Sequence, residues 1–154
     1  MKPPDNRRQH TWRGEIPLTS VYTPGTGGQI FFRALKTQGK LIATRCGSCR
    51  QVYLPARTFC ERCFAELEER VEVKPMGRLV SYTICHVDHE GARLERPEAW
   101  ALVQLEGATT VILHRLLDGT SPTEVEIGCR VEAIIKPKAK RIGSILDIEG
   151  FRVL

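Results

Sequence analysis

Thr44-Arg45-Cys46-Gly47-Ser48-Cys49 and Phe59-Cys60-Glu61-Arg62-Cys63 are the stretches on which the fold turns. Each holds a C-x-x-C hook, and ten residues separate them. Two hooks this close can fold back as paired knuckles and aim four thiolates at one ion. Tetrahedral sulfur ligation suits Zn²⁺, whose structural sites are commonly closed Cys₄ cages. Cys46, Cys49, Cys60 and Cys63 are therefore the expected metal ligands. Such a site supplies folding energy to a segment too short for its own core. It leaves no open coordination position, so a structural rather than catalytic metal is expected. Iron in a rubredoxin-like cage is the alternative that the same ligands allow.

Other uses of the cysteines fit less well. Disulfides need an oxidising compartment, and the chain opens Met-Lys-Pro-Pro-Asp with no apolar signal segment. A thioredoxin-type motif is a single C-x-x-C in a βαβ unit, not two in tandem. Cys85 and Cys129 lie outside the pattern and read as small buried hydrophobes.

Outward from the hooks, Leu41–Arg45 reads as a strand into the first knuckle, and Gln51–Leu54 as the strand out, broken by Pro55. Phe59 and Phe64 flank the second hook and are expected to cover the metal. Glu66, Glu68, Glu69 and Arg70 read as a solvated connection. Upstream, a helix is expected from Gly28 to Lys40, with Ile30, Phe31, Ala34 and Leu35 on one face and Gly39 at its stop. The Gly25-Thr-Gly-Gly28 run has no preceding strand and no P-loop lysine, so it is a flexible lead-in rather than a phosphate cradle.

Residues 1–27 read as an arm, with four prolines and no sustained period. Trp12, Ile16, Leu18, Val21 and Tyr22 are apolar for a free tail, so the arm is expected to lie on a partner or on its own domain.

From Val71 the period becomes two. Leu79–Val87, Ala99–Leu105, Thr110–His114, Arg130–Ile135 and Ile145–Val153 are strand candidates, punctuated by Gly107, Asp118-Gly119, Gly128, Pro137 and Gly143. Five or six short strands in about 80 residues suggest a small closed barrel, with the OB-fold as the natural candidate. The expected organisation is mainly β: an arm (1–27), a helix with a rubredoxin-like zinc ribbon (28–70), and a five-stranded OB-fold barrel (71–154).

The 154 residues carry a net charge of +5, which would suit nucleic acid. The distribution argues otherwise: counting down the chain, residues 1–40 contribute +5, residues 41–70 contribute +1 and residues 71–154 contribute −1. A nucleic-acid footprint should be a stripe on the folded domain. The barrel region offers only Tyr82, Trp100 and Phe151 as stacking platforms. No apolar run is long enough to span a bilayer, so no membrane is expected and the chain reads as soluble and cytoplasmic.

No catalytic constellation is apparent: there is no G-x-S-x-G, H-E-x-x-H or P-loop. Cys85 and His86 are adjacent on a strand and point to opposite faces. His86 and His89, with Asp88 between them, read as a polar strand end meeting a loop rather than an accessory metal site. His114 reads as a hydrogen-bonded structural histidine. Lys136-Pro-Lys138-Ala-Lys140-Arg141 is either a solvated loop or an anion grip for the phosphates of nucleic acid or a cofactor.

Taken in order, these features resemble one family. They are Phe31-Phe32-Arg-Ala-Leu, the two hooks with Pro55 between them, Gly77-Arg-Leu-Val-Ser81-Tyr-Thr83, Trp100-Ala-Leu-Val-Gln-Leu-Glu and Ile127-Gly128-Cys-Arg-Val131-Glu. The pattern is similar to the acyl-CoA-associated zinc-ribbon/OB-fold family, once labelled domain of unknown function thirty-five, from about residue 28 to 154. Arg50 departs from it, standing where glycine or lysine is usual.

The resemblance implies a non-catalytic subunit that holds a thiolase-fold catalytic subunit in a hetero-oligomer and helps bind a CoA ester. Partners in such families include thiolases, a synthase and steroid side-chain aldolases. The long arm leans towards a degradative partner acting on an aromatic-derived acyl-CoA. On this reading Lys136, Lys138, Lys140 and Arg141 become the nearest candidates for the CoA phosphates. A zinc-ribbon/OB-fold protein that binds nucleic acid is the alternative.

Overall fold

The computed structural model describes residues 22–117 and 125–154 of the chain. The arm anchors Trp12, Ile16, Leu18 and Val21 and the Asp118-Gly119 turn lie outside the described residues. Among the described residues no helix is long and apolar enough to cross a membrane.

The first element is helix α1, Gly25–Gln38. It begins three residues before the expected Gly28, because the glycine run is its first turn rather than a lead-in. Gly27 is buried there, and a Cβ on it would lie 2.6 Å from the Ala56 carbonyl oxygen, so glycine lets the helix press against the second knuckle's approach. Phe31, Ala34 and Leu35 bury the inner face, and Gly39 in a left-handed conformation ends the helix.

Strand β1, Leu41–Arg45, has the expected bounds, and β2 is only Val52–Tyr53. The expected connection at Glu69-Arg70 is instead strand β3, Glu69–Val73, which pairs antiparallel with β1 over five registers. Its side chains at Glu69, Arg70 and Glu72 are exposed, so apolar alternation is missing. Backbone pairing and the cross-strand ion pairs Arg45–Glu69 (2.8 Å) and Lys40–Glu72 (2.7 Å) define it instead. The small sheet has the order β2-β1-β3.

The second sheet is formed by β4 (Met76–Val87), β5 (Arg93–Leu105), β6 (Ile112–Arg115), β7 (Arg130–Ile135) and β8 (Ile148–Val153), in the order β6-β5-β4-β7-β8. A parallel bridge between Leu116 and Phe151 joins its two edges, which closes the five strands into the OB-fold barrel. β5 starts six residues before the expected Ala99. Its first half is polar and holds Pro97, which is tolerated because, among the described residues, β6 pairs with β5 only from Trp100 onward and no strand is paired with that edge at Pro97. Ile145–Asp147 is a 3₁₀ turn rather than the start of the last strand.

One core runs through both halves. Phe31, Leu35, Ala43, Val52 and Leu54 from the helix and ribbon belong to the same buried cluster as Leu79, Val103, Val131 and Phe151 from the barrel. Threonine hydroxyls reinforce the seam. Thr109 Oγ1 accepts from Val52 N (2.8 Å) and donates to Val52 O (3.0 Å), while Thr110 Oγ1 does the same at Leu54 (2.9 and 3.0 Å). Thr109 N also donates to Val52 O (2.9 Å), so the barrel loop completes the open edge of β2 with one backbone bond and two threonine hydroxyls.

Gly77 sits where β4 is flanked by β5 and β7. A Cβ there would stand 2.4 Å from Gln104 O and 2.9 Å from Leu105 Cα, both backbone atoms that cannot swing aside. Gly77→Ala is expected to cost about 3 kcal/mol through forced separation of β4 and β5, measured as a drop in the denaturant midpoint at unchanged slope.

Candidate metal centre and neighbouring sites

The two knuckles are built alike. Cys46 N donates to Gln51 O (2.8 Å) and Arg50 N to Cys46 O (2.9 Å); Cys60 N donates to Ala65 O and Phe64 N to Cys60 O, both at 2.9 Å. Arg50 and Phe64, each just after the second cysteine of a hook, take left-handed conformations with φ 61° and 60°. That backbone requirement explains why glycine suits the first of these places and why Arg50 stands out.

These turns bring the Sγ atoms of Cys46, Cys49, Cys60 and Cys63 within 4.8 Å of one another. Cys46–Cys63 and Cys49–Cys60 approach to 3.4 Å. A tetrahedral zinc with bonds of about 2.3 Å separates its sulfurs by about 3.8 Å, so the cage has the size of such an ion. The donor chemistry agrees. The N–H of Cys49 brings the Cys46 thiol down. At Cys60 burial opposes ionisation, but the Tyr53 hydroxyl and nearby N–H groups bring the thiol down to about 6. At Cys49 the N–H of Gln51 pulls downward, yet burial and the neighbouring thiols push the group up. At Cys63 the N–H of Ala65 is likewise outweighed, and Cys46, Cys60 and burial push it up to about 12. Four sulfurs gathered at this spacing are positioned for metal binding and fit zinc, which takes them as thiolates.

The cage is covered otherwise than expected. Phe59 and Phe64 are 60 % and 83 % exposed. The left-handed turn at Phe64 carries its side chain outward, and Phe59 is held in a short bridge to Glu66. Tyr53 and Leu67 instead pack with Cys46 and Cys60 in a small buried cluster of their own. The Tyr53 hydroxyl lies 3.2 Å from Cys60 Sγ. The Cys60 contact and burial push that hydroxyl up to about 12, so it stays protonated and donates to a thiolate. Arg57 covers the Tyr53 ring at 5.4 Å and pairs with Glu61. Thr44 Oγ1 both accepts from and donates to the Arg57 backbone (2.9 and 3.0 Å), fixing the second knuckle on β1. Tyr53→Phe is expected to weaken zinc affinity at least about tenfold, read by competition with a chromophoric chelator.

The Lys136–Arg141 tract is a shaped loop. Arg141 is committed to protein: Nε donates to Lys136 O (2.7 Å), and a terminal nitrogen to Leu35 O and Lys36 O at the end of α1 (both 3.3 Å). It is a cationic cap on the helix's negative end. Lys138 and Lys140 stand exposed on a 3₁₀ turn, and Lys136 is half-buried. Fully buried Asp147 holds the loop by accepting from Ile142 N (2.9 Å) and Gly143 N (2.7 Å). Burial alone would push its carboxyl up, but these donors hold it below its ordinary value. Asp147 carried no motif signal in the sequence.

The remaining candidates stay apart. His86 and His89 are exposed at the end of the β4–β5 hairpin, where Asp88 accepts from Glu90 N and Ala92 N (both 2.9 Å) to close the turn. That is the polar strand end that the sequence suggested. Cys85 and Cys129 are half-buried rather than buried. His114 is buried inside the barrel, edge-on to Phe151, and burial pushes its imidazole below the usual range. It is only partly hydrogen-bonded, since Nδ1 has no partner. Phe151 lies wholly in the core, so it offers no stacking platform.

Two family profiles match the chain in tandem: the ChsH2 rubredoxin-like zinc ribbon domain over residues 33–68, and the ChsH2 C-terminal OB-fold domain over residues 70–136. The chain is 30 % identical over 106 residues to a DUF35 domain-containing scaffold protein of Methanocaldococcus jannaschii, covering 68 % of this chain and 74 % of that one. It is 27 % identical over 106 residues to a protein of the same description from Pyrococcus furiosus, covering 69 % and 76 %. Among solved structures, a DUF35-family protein of unknown function from Sulfolobus solfataricus superposes with a TM-score of 0.62 at 29 % identity, covering 84 % of each chain. A chain of an Ltp2-ChsH2(DUF35) aldolase superposes at 0.58 with 26 % identity, covering 80 % of this chain and 91 % of that one.

Proposed function

We infer a function from the premise that this chain belongs to the DUF35 family, with the ChsH2-type zinc ribbon and OB-fold. It is the non-catalytic, zinc-binding subunit of an acyl-CoA thiolase- or aldolase-type complex. It holds a thiolase-fold catalytic subunit and supports binding of the CoA ester, in degradation of an aromatic-derived acyl-CoA. The observation that carries the reading is chemical. Among the described residues, the metal-ligating side chains that converge are the four cysteines, and a closed Cys₄ cage offers no open position to a substrate. The names of the relatives support it, since two are scaffold proteins and one neighbour is part of an aldolase.

A shared core and threonine seam make ribbon and barrel one unit, which suits a subunit whose task is to hold a neighbour in place. Mixing the purified chain with a thiolase-fold enzyme of its host should give a complex of defined stoichiometry by light scattering. A monomer that ignores every such enzyme and binds single-stranded nucleic acid with a steep salt slope would overturn the reading.

Lys136, Lys138 and Lys140 are the cations proposed for the CoA phosphates, with Arg141 as the brace that presents them. Lys138→Glu/Lys140→Glu is expected to raise the apparent KM of the complex for acyl-CoA about tenfold and change kcat far less, the signature of lost ground-state binding. Equal loss in kcat would give these residues a different role.

A further inference from the structure

The second knuckle carries two aromatic side chains that its own packing does not use. Phe59 stands opposite Glu66 in a short antiparallel bridge. Their chain neighbours Cys60 and Leu67 are buried at the cage, so alternation turns Phe59 and Glu66 to the outer side. Phe64 also faces outward, from a left-handed backbone with φ 60° that glycine would adopt without strain. A bulky residue held there carries strain and gains no burial in return, which marks a position kept for function.

The surrounding charge selects what this side fits. Residues 59–69 hold four glutamates and one arginine, in a chain of net charge +5. Glu61 pairs with Arg57 and Glu69 with Arg45. Glu66 and Glu68 are exposed and form no ion pair among the described residues. Their charge repels phosphate, which disfavours nucleic acid and an anionic lipid surface. A second copy is disfavoured too, because a two-fold contact would set the same glutamates against each other. The complement is a protein surface with an apolar pocket bordered by lysine or arginine.

We propose that the outer side of the second knuckle, Phe59 and Phe64 rimmed by Glu66 and Glu68, docks into such a pocket on the catalytic subunit. This names the contact surface for the function proposed above and rests on that reading. Aromatic side chains seated in desolvated pockets dominate many protein interfaces, and docking would give Phe64 the burial it lacks in the free chain. The lysines assigned to the CoA phosphates lie on the loop between β7 and β8, so docking and ligand binding use different residues.

Calorimetric titration of the zinc-loaded chain into the catalytic subunit tests it, with zinc content and melting midpoint of the chain alone measured in parallel. Phe64→Gly should raise the Kd at least about tenfold. The same variant should keep its zinc and melt at the same temperature or higher, because glycine relieves the left-handed strain. Phe59→Ser should weaken binding to a similar degree. Glu66→Lys/Glu68→Lys should weaken it more at low salt than at high salt, since the attraction it removes is screened. Wild-type affinity in both Phe64→Gly and Phe59→Ser overturns this inference and leaves the proposed function standing. Weakened binding accompanied by zinc loss, with Glu66→Lys/Glu68→Lys binding like the wild type, also overturns it. No complex with the wild-type chain overturns both.

Discussion

Cys60→Ser is expected to release the metal and unfold the ribbon. Cys60 is 1 % exposed, receives the Tyr53 hydroxyl, and faces Cys49 Sγ at 3.4 Å. The buried cluster around the cage is Cys46, Tyr53, Cys60 and Leu67, far too small to order two knuckles by burial alone. Structural zinc contributes on the order of 10–16 kcal/mol to such segments, so losing one of four thiolates removes the main reason for the turns to persist. The damage reaches the barrel, because Ala43, Val52 and Leu54 lie in the shared core. Zinc content should fall from about one per chain to near zero after dialysis, with the melting midpoint lowered by at least about 10 °C. Chelation of the wild-type protein should reproduce the change, whereas Cys85→Ser should leave zinc content intact. Full zinc retention by Cys60→Ser would move the ligand set elsewhere.

The second large effect is expected at Asp147. Its carboxylate is wholly buried and accepts from Ile142 and Gly143. Charge-assisted bonds contribute about 1.5–3 kcal/mol each, so Asp147→Ala should cost about 3–5 kcal/mol. The loop it shapes also presents Arg141 to the end of α1, so the helix should lose its cap together with the loop. The sign of the acid effect follows from the depressed folded value. The stabilisation is complete above the ordinary value of 3.8 and is lost as pH falls towards and through the folded one. Wild-type stability should therefore drop in that acid window, and Asp147→Ala should flatten the profile there. Equal slopes in the two proteins would show that another carboxylate governs acid unfolding.

The parts of the fold legible in the sequence are those governed by local chemistry. Cysteine spacing located the cage, and period-two patterning located β7 and the barrel. β3 escaped because an edge strand with both side-chain faces mostly in solvent needs no apolar alternation. The first half of β5 escaped for a similar reason. The aromatic cover was misassigned because sequence adjacency to a hook says nothing about direction: the left-handed turn at Phe64 sends it outward, and Tyr53, seven residues before Cys60, does the covering. Arg141 and Asp147 were hidden by range. One caps a helix about a hundred residues away, and the other binds backbone, which no side-chain motif encodes. Thr110 reads as the first residue of a strand, but its hydroxyl, with that of Thr109, helps close β2.

The proposed role is tested most directly by reconstitution. The purified chain, its thiolase-fold partner and the mixture are assayed with an acyl-CoA substrate, with zinc content measured in each. Turnover confined to, or raised at least tenfold in, a stoichiometric complex, with none from this chain alone, is the predicted result. Full activity of the catalytic subunit without this chain, or turnover by this chain alone, would contradict it.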